Sequence, residues 1–207
     1  MAADAWWLLQ ARLPRIDGLH AAAQAAADTV GARLHRAAWA ASTGEAYAYV
    51  RAAAADAGDA LAAAFARHAS TAEALRVSPL EPVFDVPGAS AGAQPLFHYV
   101  VETDPEEGWF DEIGRWYDTE HMPGLAAVPG NVRAMRFLNR GHGPLSLACY
   151  DLVTDAALTS APWLAVRATA WSDIARPHFT NTRRTMFEVA YADAGSRPPR
   201  PSAARSA

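Results

Sequence analysis

The run Gly114-Arg-Trp-Tyr-Asp-Thr-Glu-His-Met-Pro123 gathers aromatics, acids, a histidine and a proline within an alanine-rich chain. Read as a helix, Phe110, Ile113, Tyr117 and His121 fall three or four residues apart and share one face. Asp111, Arg115 and Asp118 lie around the other side, so the shared face is the buried one. Trp116 and Glu120 form an i,i+4 pair on its flank. Pro123 is expected to end the helix, leaving His121 in the last turn. An imidazole with an unperturbed pKa near 6.5 can both take and give a proton near neutrality. His121 is therefore the candidate general acid/base, with Tyr117 and Glu120 as orienting groups or substrate contacts. The plain alternative is a capping histidine, favoured by the helix dipole by about 0.3–1 kcal/mol, with Trp116 and Tyr117 as core. The density of polar chemistry on a face that ought to be apolar favours the catalytic reading.

The remaining candidates surround this group as substrate contacts: Trp116, Arg136, Tyr150, Trp163, Trp171 and His178. Arg136 shares a strand face with Ala134 and Leu138 and could hold an anionic group or pair with an acid. His178 lies between Pro177 and Phe179, close to the last strand, where a capping or surface role is equally open. Tyr150, Trp163 and Trp171 read as core or as the wall of an aromatic pocket. His98 and Tyr99 alternate on a strand, so only one of them can face a barrel interior. Metal ligation is not expected, since no HxH, HExxH or CxxC spacing occurs, and Asp118 with His121 lacks further donors. Cys149 is the single cysteine, which leaves no intrachain disulfide, and it reads as a small buried hydrophobe.

Composition narrows the classes. The net charge is −4, and outside the C-terminal stretch no basic cluster appears, so nucleic-acid binding is not expected. All 18 basic residues are arginine, which excludes a Schiff-base lysine. The alanine runs are interrupted by Gln24, Asp28 and Arg33, so no membrane span is expected, and no secretory leader is evident. A soluble, cytoplasmic protein is the expectation.

The elements that must position these groups follow from periodicity and punctuation. Residues 5–13, 34–42, 46–53 and 80–86 read as strands, the last weakened by Pro82 and so expected at a sheet edge. Helices are expected over 19–31, capped by Asp17, and from Asp59 through 75. The segment 85–95, rich in glycine and proline, reads as a linker. Beyond it the order recurs: strand 96–103, helix 106–122, strands 132–139 and 145–153, a helical region 159–174, and strand 182–191. Each half is thus β-α-β-β-α-β, the ferredoxin-like unit, whose open sheet face must be covered. The expected fold is α+β: two tandem ferredoxin-like repeats packed sheet to sheet as an intrachain pseudo-dimer. The division is a degenerate first half (1–88), a linker (89–95), a second half (96–192) and a disordered tail (193–207).

Several motifs of the second half, taken in order, resemble the EthD-like branch of the dimeric α/β-barrel superfamily. They are Trp116-Tyr-Asp-Thr-Glu-His-Met-Pro123, Val128-Pro-Gly130, Ala134-Met-Arg-Phe137, Leu147-Ala-Cys-Tyr-Asp-Leu152, Ser160-Ala-Pro-Trp163, Thr169-Ala-Trp171 and Pro177-His-Phe-Thr-Asn-Thr-Arg-Arg184. The first half shows the element order without the motifs. The resemblance implies a barrel fold and a superfamily containing isomerases, polyketide cyclases, decarboxylases, haem-degrading monooxygenases and proteins without known activity. Three functions are compatible with these residues. One is a cofactor-independent enzyme that moves protons on a small aromatic, polyketide-like or xenobiotic molecule through a barrel histidine, of the isomerase, cyclase or decarboxylase (lyase) type. The others are a haem-linked barrel protein and a non-catalytic small-molecule-binding protein. The expected partner is a small hydrophobic or aromatic ligand, with a homodimer of pseudo-dimeric chains possible.

Overall fold

The computed structural model describes residues 5–53 and 56–193. Eight strands are present among them: β1 (Ala5–Arg12), β2 (Arg33–Trp39), β3 (Glu45–Ala52), β4 (Glu73–Pro87), β5 (Phe97–Pro105), β6 (Asn131–Asn139), β7 (Ser146–Leu152) and β8 (Phe179–Ala192). Helices α1 (Leu19–Thr29) and α2 (Gly58–His68) belong to the first half. The second half carries α3 (Phe110–Trp116), α4 (Met122–Ala126), α5 (Ala161–Arg167) and α6 (Ala170–Ala175). The strands close into one antiparallel barrel in the order β1-β3-β2-β8-β5-β7-β6-β4. Each half has the same internal order, β4-β1-β3-β2 and β8-β5-β7-β6, and the halves join through β2–β8 and β4–β6. The expected tail from 194 onward lies outside the described residues. No helix among the described residues is long and apolar enough to cross a membrane.

Strand alternation divides the barrel wall into an inner and an outer face. Leu8, Tyr47, Tyr49, Val100, Phe137, Leu147, Cys149 and Phe187 turn inward and fill the lumen. The outward residues of the first half pack under α1 and α2, and those of the second half under α3 to α6. A register shift between Leu34 and Arg36 lets both His35 and Arg36 reach the interior. There Arg36 pairs with Asp151, which accepts a 2.7 Å hydrogen bond from His98 Nδ1. Tyr49 then donates to His98 Nε2 at 3.0 Å. Arg36 and Tyr49 come from the first half and His98 and Asp151 from the second, so a buried polar chain ties the halves together.

Three sequence expectations need correction. Asp17 does not cap α1; the cap position is Gly18 at φ 80°, with no side-chain hydrogen bond. The second helix ends at His68, and Glu73 already belongs to β4, which runs for 15 residues. The sequence reading placed strand 80–86 at a sheet edge because of Pro82. β4 pairs with β1 up to Leu80 and with β6 from Leu80 onward, so each proline sits where the strand has one ladder neighbour. The missing N–H then costs nothing, and β4 is edge-like locally inside a barrel that has no edge. The segment after β4, expected as a linker, is held by backbone hydrogen bonds. Gly88, Ala89 and Ser90 donate backbone hydrogen bonds to Val132, Ala126 and Asn131, which ties them to the second half. A Cβ at Gly88 would stand 2.1 Å from the Asn131 carbonyl oxygen, so only glycine fits there. Finally, Pro123 does not end the helix.

Candidate active site

The helix that carries His121 continues through Pro123 because it widens just before it. α3 passes into a single π turn, Tyr117–His121, and then into α4 with Pro123 in its first turn. Met122 N–H donates to the Tyr117 carbonyl, an i to i+5 bond that defines the wider turn. Proline has no N–H to lose from the ladder, and the wider turn gives its ring room. The widening changes which side chains meet. Trp116 and His121, five apart, stack with ring centroids 4.1 Å apart. Tyr117 meets His121 edge-on at 5.8 Å. Trp116 is therefore buried beside the histidine rather than on the flank, and Phe110, expected inside, is 45% exposed.

Trp116, Tyr117 and His121 face a cavity between the outer wall of the barrel and the helical layer. The sequence reading aimed His121 at the barrel interior, and the structure corrects this: the histidine lies outside the lumen, under the helices. The sheet contributes Tyr99 and Val101 from β5, Tyr150 from β7 and Arg184 from β8. Leu125, Trp163, Arg167, Arg176 and Phe179 complete the lining. Its free volume is ≈ 30 Å³, room for about two water molecules. A ligand larger than that enters only if the mouth opens.

The cavity collects several unpaired polar atoms, although others occur elsewhere, such as Trp7 Nε1 and Ser146 Oγ. Trp116 Nε1, Trp163 Nε1 and His121 Nδ1 are buried with no hydrogen-bond partner among the described residues. Buried polar atoms are otherwise almost always satisfied, so three such atoms on one cavity mark a place for something else to bind. Burial holds the His121 pKa down at about 3, with Arg176 and Arg167 adding to the effect by repelling the imidazolium. The histidine is thus neutral at pH 7. Tyr117 and Tyr150 are pushed up by burial and remain phenols, and Tyr150 donates to Met122 Sδ at 3.0 Å.

Of the nine residues singled out from the sequence, the structure brings Trp116, Tyr117, His121, Tyr150 and Trp163 together on the cavity. Four stand elsewhere. Glu120 accepts the Thr169 hydroxyl hydrogen bond at 2.6 Å and so ties the π turn to the α5–α6 layer. Trp171 donates its indole N–H to Glu112 at 2.8 Å and lies under the Arg115 guanidinium. Arg136 forks onto Asp118 at 2.8 and 3.0 Å and rests 5.4 Å from the Tyr117 ring centre, and it is not part of the cavity lining. His178 stacks on Trp109 at 3.4 Å and donates to Glu106 at 2.6 Å. These four brace the site from behind. Tyr99 was half legible, since alternation with His98 required one of the pair to face outward. Arg167, Arg176 and Arg184 were missed; for Arg167 a signal existed, as no acid lies three or four residues away on its helix. Among the described residues, no group of three or more His, Cys, Asp or Glu side chains is placed to hold a metal ion.

No protein-family model matches the sequence, and no curated protein matches it. Solved structures do match in fold. A Lactobacillus acidophilus protein described as a candidate monooxygenase superposes with a TM-score of 0.63 at 12% identity, over 93% of this chain and 97% of the other. An anthrone oxidase-like protein gives 0.60 at 12% identity over 92% of each chain. A chlorite dismutase of Candidatus Nitrospira defluvii gives 0.60 at 8% identity, again over 92% of each. The shared architecture is that of the dimeric α/β-barrel proteins.

Proposed function

We propose that the chain is a small-molecule enzyme that moves a proton on an aromatic or polyketide-like substrate, with His121 as the acid/base. The observation that carries this is the partnerless, neutral His121 imidazole on an aromatic cavity. A neutral imidazole is the form able to accept a proton, and a water-poor aromatic site protects the carbanion or enolate that results. Trp116 fixes the ring by stacking, and Tyr117 and Tyr150, held as phenols, are positioned beside it. Removal of a proton from an activated C–H group is a shared first step of isomerisation, cyclisation and oxygenation. The neighbours named as monooxygenase and anthrone oxidase-like are compatible with such chemistry. The recurrence of one strand order in both halves supports the tandem ferredoxin-like reading. The ordered motifs around His121 support kinship with the EthD-like branch.

The haem-linked alternative fits less well. His121 is the one imidazole on the cavity lining, and the Trp116 ring stacks on it at 4.1 Å while Tyr117 meets it edge-on at 5.8 Å. The test of the proposal is hydrogen–deuterium exchange at the activated methylene of anthrone in D₂O, followed by NMR. The wild-type chain should accelerate exchange, and His121→Ala should lose roughly 10²-fold or more, the usual scale for a general acid/base. Equal exchange rates in both proteins would sink the assignment.

A further inference from the structure

Eight arginines of the second half fall within the described residues, and they divide into two groups. Arg115, Arg133, Arg136, Arg140 and Arg183 each form an ion pair, with Glu112, Asp85, Asp118, Glu81 and Glu102 respectively. Arg167, Arg176 and Arg184 line the His121 cavity, and no carboxylate among the described residues pairs with any of them. They arrive from three elements: the end of α5, the turn after α6, and β8. Arg176 is held below its usual pKa by burial and by repulsion from Arg167 and Arg184, against a weaker opposing pull from Asp173. Its side-chain hydrogen bond among the described residues goes to the Arg167 carbonyl at 3.2 Å. Arg167 and Arg176 are half-buried and Arg184 is exposed, so solvent screens their mutual repulsion only in part, and an anion seated among them would relieve it.

The apolar side of the same cavity supplies a second, independent observation. Trp116 and Trp163 are each only 1% exposed, and their indole N–H groups have no acceptor. An occupant rich in acceptor oxygens would satisfy what the protein leaves open. We propose that Arg167, Arg176 and Arg184 form the anion subsite of this cavity, so that its substrate is an aromatic carboxylate. The aromatic ring would lie among Tyr99, Tyr150 and Phe179, and the guanidinium forks would take the carboxylate. This rests on the cavity being the substrate site, as proposed above, and adds the charge its substrate must carry. It also gives the arginines a part in the chemistry. The same cations that weaken His121 as a base are those a bound carboxylate neutralises, so the base gains strength when the substrate is seated.

The test uses the full chain, with 1-hydroxy-2-naphthoate and its methyl ester as probes, followed by tryptophan fluorescence. The acid should bind at least ten-fold more tightly than the ester, and added salt should erode only the acid's advantage. Arg167→Gln/Arg176→Gln should abolish the preference, whereas Arg133→Gln, a paired arginine off the cavity, should keep it. Thermal melting of the double variant guards against misfolding, and removing mutual repulsion should leave its midpoint unchanged or higher. Should the double variant fail to fold, Arg184→Gln supplies the same comparison. Equal binding of acid and ester, binding of neither, or a preference that survives the loss of the arginines overturns the subsite. His121→Phe should retain the preference for the acid, so a failure of acid/base catalysis and a failure of the anion subsite give different results.

Discussion

In the first half, α1 sets Ala22, Ala23, Ala26 and Ala27 against the outer wall of the sheet. These methyl groups allow close approach, and with Leu61, Phe65 and Val50 they close the layer. In the second half the corresponding helix carries Trp116, Tyr117 and His121, broken by a π turn, over Tyr99 and Tyr150. Large rings on both sides cannot interdigitate as methyl groups do, and a cavity remains among them. One order of elements is thus used twice, once to seal a core and once to hold one open. A helix bearing small side chains buries sheet surface uniformly, whereas a rim of aromatics leaves space that polar groups can be aimed into.

The halves depend on each other through the lumen, and the largest effect is expected there. Asp151→Leu leaves the Arg36 guanidinium buried without its partner, which should cost about 3–5 kcal/mol in chemical denaturation. The double change Arg36→Met/Asp151→Leu should recover most of that loss. If the single variant is as stable as wild type, the polar chain does not join the halves.

Next comes the asymmetry in chemistry. In the exchange assay, His121→Ala should lower the rate by roughly 10²-fold or more, while His35→Phe and His68→Ala should change it little. A comparable loss from either first-half variant would mean that the site is not confined to the second half.

The contrast in packing should appear in paired substitutions. Ala26 is 0% exposed, so Ala26→Leu should destabilise the chain by about 1–3 kcal/mol through overpacking. Val101→Ile adds one methyl-sized group beside the ≈ 30 Å³ cavity and should leave the thermal midpoint unchanged or raise it, while reducing turnover. Similar destabilisation by both would remove the distinction between a sealed and an open half.

The smallest effect is in pH dependence, and it touches both halves. His35 and His121 are each held at about 3, chiefly by burial, and His98 is also pushed down by burial. Their folded pKa values lie below the unfolded value near 6.5, so the unfolded chain binds protons first as pH falls. The stability His35 and His121 contribute is complete above about pH 6.5 and declines toward pH 3, by about 1.4 kcal/mol per pH unit for each, and His98 acts in the same direction. Urea midpoints between pH 7.5 and 4.5 should therefore fall less steeply for His121→Phe than for wild type. Parallel slopes would show that His121 is protonated in the folded chain.

Periodicity and punctuation alone were enough to locate the eight strands, apart from the first part of β4, because each strand depends on a local pattern. The alternation Ala46-Tyr47-Ala48-Tyr49 already separates an inner from an outer face, and the Trp116–His121 cluster announces itself by composition. Three things were settled only by the tertiary structure. The π turn depends on relief of Pro123 within a packed helix, which helical spacing cannot reveal, and it moved Trp116 from the flank onto His121. The face of the sheet on which the cavity forms depends on barrel closure, since a sheet pattern is the same whether helices or a second sheet cover its outer side. The gathering of Arg167, Arg176 and Arg184 joins residues from separate elements, and local spacing carries no information about which distant side chains converge or which will be left without a counter-ion.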